Sequence, residues 1–292
     1  MRSMARNLML LFIALALRVE SRADFIDWLF GKRDIQVITN TQMSTAGQKL
    51  PEASKAAPQY YIAVSSGFHD FGGVVGGIKA PPKDRVLKLI AAQLAKRGYL
   101  PSTGPSTPAS LVIFLTWGTL NADRENFFVD SPTVIRNRSQ ILAFLGAKQL
   151  RFDDSYFSAS ATPPIVGLTM LDFDARNLYE AASEDFYVIA ASAYSPESIA
   201  RKKPELLWRT RIACFSLGFE FDDVLPAMVS IGGTQFGRET TAPVWESASE
   251  RFKADVKSGE IELVEYLQDK DKQIPIIDVS TKEFQGKAKA KR

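Results

Sequence analysis

The chain has 292 residues, 46% of them hydrophobic and 24% charged, which is enough apolar matter for one sizeable core. Its formal net charge of +3 sits at the ends: residues 1–23 carry +3 and the last six carry +4, leaving −4 on 24–286. That balance excludes the basic face a nucleic-acid binder needs, the single cysteine excludes an internal disulfide, and the single histidine excludes a histidine-based metal cluster.

The chain opens with Arg2 and Arg6, an apolar run over 8–17, and then Ser21-Arg22-Ala23. This pattern predicts a Sec-type signal peptide over 1–23, cleaved after Ala23, and a periplasmic or secreted protein. The run is shorter than the roughly 20 residues that span a bilayer, so no transmembrane span is expected after cleavage. A buried N-terminal helix and an uncleaved membrane anchor are the alternatives. No cysteine follows the run to take a lipid.

Residues 24–58 read as an extended segment. After a short apolar patch at 24–30, the stretch 39–58 is rich in Thr, Ser, Gln, Ala and Lys without a sustained period, as linkers are. The domain is expected over 59–267. Residues 60–68 and 111–115 are β-prone, and between them Val86, Leu87, Ile90, Ala91 and Leu94 mark one stripe of a helix that ends at Gly98. Residues 121–184 read as an insertion with helices over 132–148 and 174–182. Residues 186–193 and 206–215 predict an antiparallel strand pair. Helices are expected at 222–228 and at 243–256, where Trp245, Ala248, Phe252 and Val256 share a stripe. A last strand is expected at 260–267, and 268–292 reads as a charged, largely disordered tail.

The chemistry-bearing residues are few. Gly72 and Gly77 have the spacing of a phosphate loop, but Ile78 stands where the lysine must be, and Pro81-Pro82 separates the loop from the helix. Gly72, Gly73, Gly76, Gly77 and Lys79 are therefore read as a loop surface for a ligand or partner. Arg209 and Arg211 alternate with Trp208, Thr210 and Ile212, which places both arginines on a wet sheet face and makes them a second partner surface. His69 beside Asp70 is the one catalytic candidate, a base oriented by a carboxylate. Cys214 lies in the apolar run Ile212-Ala213-Cys214-Phe215 and reads as a buried, unreactive thiol. Asp153-Asp154 and Asp172 with Asp174 read as solvated carboxylates, because neither pair lies in a calcium-loop pattern. No metal and no cofactor is expected.

Three segments carry a family resemblance: Ala95-Lys96-Arg97-Gly98-Tyr99 at a helix end, Ala109-Ser110-Leu111-Val112-Ile113 opening a strand, and Leu206-Leu207-Trp208-Arg209. They resemble small bacterial envelope lipoproteins and periplasmic proteins of unknown function with an α+β sandwich. The resemblance covers about half the chain in pieces, and the lipid-anchor cysteine is missing. It implies a non-catalytic envelope module.

Together these readings predict an α+β fold with a mixed, mainly antiparallel sheet, two main amphipathic helices at 83 and 243, and a helical insertion. The expected function is an exported, non-enzymatic binding or assembly protein of the cell envelope, with an envelope protein or small ligand as partner. The alternatives are a hydrolase-type enzyme using His69 with Asp70, and a self-assembling, homo-oligomeric envelope subunit.

Overall fold

The computed structural model describes residues 34–73, 75–125, 134–151, 173–249 and 276–278. The strand expected at 260–267, the signal peptide, Asp153-Asp154 and Asp172 lie outside them. The chain divides into the units Met1–Ile35 and Gln36–Arg292, and every element below belongs to the second.

The elements run β1 (Gln36–Met43), α1 (Thr45–Gln48), β2 (Gln59–Gly72), α2 (Lys83–Lys96), β3 (Tyr99–Pro101), β4 (Leu111–Asn121), β5 (Arg124–Glu125), β6 (Val134–Ile135) and α3 (Arg138–Leu145). They continue with α4 (Phe173–Ala181), β7 (Phe186–Tyr194), α5 (Pro196–Ala200), β8 (Leu206–Phe215), α6 (Phe221–Gly232), β9 (Val244–Ser247) and β10 (Ile276–Asp278). The main sheet has the order β10-β2-β4-β7-β8-β1-β9, with β3 beside β2. β2 runs parallel to β10, β3 and β4. Every other junction is antiparallel. The fold is α+β with a mixed, mainly antiparallel sheet.

β2, α2 and β4 form the expected strand–helix–strand unit. Val86, Leu87, Ile90 and Leu94 of α2 are buried as the stripe required. Gly98 then takes a φ of +87°, and the Ser54 backbone would lie 2.5 Å from a Cβ there, so glycine is needed on both counts.

One sheet face is covered by α2 and α6, which pack on each other. Phe221 of α6 meets this face, stacking on Tyr187 with ring centroids 4.6 Å apart and tilting against Phe68 at 6.3 Å. Pro226 inside α6 has no N–H to give the Asp222 carbonyl, as the helix would otherwise require. Arg85 of α2 bonds both the carboxylate of Asp222, at 2.8 Å, and that carbonyl, at 3.4 Å. The pair is exposed, so it orients the two helices more than it stabilises them.

The opposite face is covered over part of its area by the inserted helices. Ile141, Leu142 and Leu145 of α3 and Ala175, Leu178 and Tyr179 of α4 form a core with Ile38, Leu120, Phe186, Val188 and Ala213 of the sheet.

Four expectations are corrected. The segment read as linker holds β1, which lies inside the sheet between β8 and β9. Its alternate residues Val37, Thr39 and Thr41 are buried, and the Thr41 hydroxyl bonds Thr210 Oγ1 at 2.7 Å and the Gln235 carbonyl at 2.8 Å. These bonds make a polar sequence a stable interior strand. The helix expected from 243 is replaced over Val244–Ser247 by β9, whose backbone pairs with β1. Within the stretch read as a disordered tail, Ile276–Asp278 pairs with β2. The helix expected over 132–148 is shorter, Arg138–Leu145, and β6 precedes it.

Cys214 is buried, as expected, and burial pushes its thiol up to about 12 from the ordinary 9.0. Tyr99 is held up at about 12, by burial first. In each case the folded state keeps a proton that the unfolded chain has lost, so stability is complete below the unfolded value and falls as pH rises towards the folded one. For Cys214 that window opens at about pH 9, and for Tyr99 at about pH 10. Urea midpoints are therefore expected to be flat to about pH 9 and to fall from there to pH 10. In Cys214→Ala the fall should begin about one pH unit later. A Cys214→Ala profile parallel to wild type through this range would refute the assignment.

Candidate anion-binding face

β8 reads Leu-Leu-Trp-Arg-Thr-Arg-Ile, and its two-residue period assigns each side chain to a face. Trp208, Thr210 and Ile212 are buried on the helix-covered face. Arg209 and Arg211 are half-buried on the other face, the one α3 and α4 cover in part. Residues two apart on a strand are about 7 Å apart, so the two guanidinium groups rise side by side.

The register fixes their neighbours. Arg209 lies between Gln42 of β1 and Ser192 of β7, and Arg211 between Asn40 and Ala190. Arg209 donates from Nε to Ser192 Oγ at 2.9 Å and from Nη2 to the Tyr194 hydroxyl at 3.1 Å. Tyr194 is held edge-on by Phe114, with ring centroids 5.5 Å apart. Arg211 donates from Nη1 to Asn40 Oδ1 at 3.3 Å and to Gln42 Oε1 at 3.2 Å. The Asn40 amide is oriented from behind, because its Nδ2 donates to the Phe144 carbonyl at 2.7 Å. That turns the Asn40 oxygen towards the arginine.

Every one of these partners is neutral. Among the described residues no carboxylate pairs with Arg209 or Arg211. Arg211 is lowered to about 10, by burial first and by the charge of Arg209 second. Both influences oppose its charge. A guanidinium has five N–H donors, and each of these two spends two bonds on protein partners. Donors remain for a planar anion.

The other sequence candidates lie elsewhere. His69 and Asp70 follow each other on β2 and so point to opposite sheet faces. The His69 ring nitrogen Nε2 is 2.8 Å from the Ser66 carbonyl, and Asp70 Oδ1 accepts from Thr119 Oγ1 at 2.8 Å. The oriented acid–base pair that their adjacency offered as an alternative is therefore not formed. Ser66 is engaged by the Thr116 hydroxyl and the Leu115 carbonyl.

Gly72 and Gly73 leave the opposite end of the sheet from the arginines, since Gly72 pairs with Asn121 while Arg209 pairs with Ser192. Gly76, Gly77 and Lys79 border a cleft whose other wall is Tyr187 and the start of α6, including Glu220 and Asp222. One lysine facing two carboxylates offers an anion little. The structure thus brings Arg209 and Arg211 together and leaves the glycine loop apart from them.

Sequence reasoning missed Asn40, Gln42, Ser192 and Tyr194. The alternation Val37, Thr39, Thr41 against Ile38, Asn40, Gln42 was the signal available for the first two.

The fold and this face define an α+β domain whose half-covered sheet presents a pair of arginines held by neutral groups. No family model matches the chain, and no curated protein matches it. Among solved structures, a PDZ domain protein from Parabacteroides distasonis is 10% identical with a TM-score of 0.36, over 76% of this chain and 41% of that one. The chain thus spans about two fifths of that protein. A DUF4136 family protein from Bacteroides thetaiotaomicron is 10% identical with a TM-score of 0.29, over 72% of this chain and 100% of that one. Likenesses this distant transfer no residue roles.

Among the described residues no helix is long and apolar enough to cross a membrane.

Proposed function

We propose that this is an exported, non-enzymatic binding or assembly protein of the bacterial cell envelope. Its Arg209–Arg211 face takes a partner that presents carboxylate or phosphate groups. One observation carries the second statement: two adjacent, half-buried guanidinium groups have only neutral partners among the described residues, and burial already disfavours the charge of Arg211. Buried charge without a counter-ion lowers stability, and a site kept at such a cost suits a function in binding. Export rests on the leader pattern of 1–23. The opposed directions of His69 and Asp70 support a non-catalytic reading over a hydrolase.

Citrate and inorganic diphosphate serve as probes for the two anion chemistries. Titrated at low ionic strength, at least one of them is expected to move the arginine Nε–Hε resonances of Arg209 and Arg211 saturably, with the effect weakening as salt is added. The more effective probe identifies the anion class. Shifts scattered over surface cations, with these two resonances unmoved, would contradict the proposal.

A further inference from the structure

Independently of the arginine face, the structure carries an exposed apolar depression at the β9 end of the sheet. Phe173 at the start of α4 is 74% exposed, Leu217 in the turn after β8 is 79% exposed, and Trp245 on β9 is 36% exposed. All three border one depression. Single exposed apolar side chains are ordinary, but three large ones converging on one hollow mark a contact surface.

α4 explains how they come together. Its stripe Ala175, Leu178 and Tyr179 is buried in the core, so Phe173 and Glu180 turn outward along the opposite side, and Glu184 is exposed in the turn that follows. Trp245 is brought alongside because β9 pairs with β1, placing it opposite Ile38 on the same sheet face as α4. Asp174, Glu180 and Glu184 line the same hollow, and none of them forms an ion pair among the described residues.

We propose that this hollow is a docking site for a cationic amphipathic segment of a partner protein. The apolar floor takes the segment's hydrophobic side chains, with Trp245 as the anchor a central aromatic supplies, and the three carboxylates take flanking lysines or arginines. The acidic rim repels an anionic lipid surface, so a membrane is the less suited occupant.

Trp245 is also the reporter, read in a Trp28→Phe background, because Trp117 and Trp208 are each 1% exposed and Trp28 lies outside the described residues. The full chain is titrated with a synthetic helix-forming Leu/Lys peptide and with a matched Leu/Glu peptide. The Leu/Lys peptide is expected to give a saturable blue shift of tryptophan emission that Trp245→Phe removes, and the Leu/Glu peptide should bind at least tenfold more weakly. Leu217→Ser, a change in an exposed turn, should weaken the Leu/Lys peptide about tenfold. Neutralising the rim with Asp174→Asn, Glu180→Gln and Glu184→Gln should weaken it about as much and reduce its salt dependence. No Trp245 response to the Leu/Lys peptide, or equal responses to both peptides, would overturn the proposal. A blue shift on vesicles of phosphatidylglycerol alone would overturn it in favour of a membrane surface. A shift produced by raising protein concentration alone would overturn it in favour of a second copy.

Discussion

Gly118→Ala is expected to cost about 3 kcal/mol or more, while Gly76→Ala stays within about 0.5 kcal/mol of wild type. Both are glycine-to-alanine changes, so composition and unfolded-state entropy nearly cancel between them. The difference is in what the new methyl group meets. At Gly118, in the middle of β4, a Cβ would lie 1.7 Å from the His69 carbonyl oxygen of β2. The obstacle is backbone within a paired strand, so no side chain can swing aside. β2 and β4 must separate or twist, and the β2–β4 junction holds the parallel half of the sheet together. At Gly76 nothing lies within 4 Å of the added Cβ. Urea unfolding of the two variants checks this, with the midpoint of Gly118→Ala falling far below that of Gly76→Ala. Equal midpoints would mean that the close approach of the strands is not a feature of the folded protein.

Local pattern was enough for the elements whose burial is apolar. The stripe Val86, Leu87, Ile90 and Leu94 and the stop at Gly98 specify α2 and its end, and the buried runs of β4, β7 and β8 are apolar enough to announce themselves. It was not enough where the interior is polar. β1 buries Thr39, Asn40 and Thr41, and Thr41 and Asn40 are satisfied by partners far along the chain, Thr210, Gln235 and Phe144 among them. Those partners are invisible to any window of neighbouring residues, so the segment has the composition of a linker. β9 failed for a related reason. Trp245 and Ala248 fit a helical stripe, but pairing with β1 decides the backbone.

The same distinction divides the candidate site. Arg209 and Arg211 were legible because a strand's two-residue period is local. Their neighbours Asn40, Gln42, Ser192 and Tyr194 were not, because register between strands is a property of the assembled sheet. Adjacency misled in the other direction for His69 and Asp70. Consecutive residues on a strand face away from each other, so closeness in sequence was evidence against a dyad once β2 extended to Gly72.

The second large effect is on binding. Arg209→Met removes one of two guanidinium groups and is expected to weaken anion binding about tenfold to a hundredfold, the value of one charge-assisted contact of about 1.5–3 kcal/mol. The partners it leaves, the Ser192 and Tyr194 hydroxyls, can each turn to another acceptor or to water. Methionine keeps the apolar stem that packs on the sheet. Removing the charge of Arg209 also relieves Arg211, whose charged form it opposes. Stability is therefore expected to rise, by about 0.5–1 kcal/mol. Arg211→Met is not the equivalent test, because it leaves the buried Asn40 without a donor for its oxygen.

The measurement that bears most directly on the central claim is urea denaturation of wild type and Arg209→Met, each with and without saturating citrate or diphosphate. If the face exists to hold an anion, Arg209→Met unfolds at higher urea than wild type in the absence of anion, and the anion stabilises wild type more than the variant. If Arg209→Met is less stable than wild type and both respond to anion alike, the arginines belong to the fold and the account of this face is wrong.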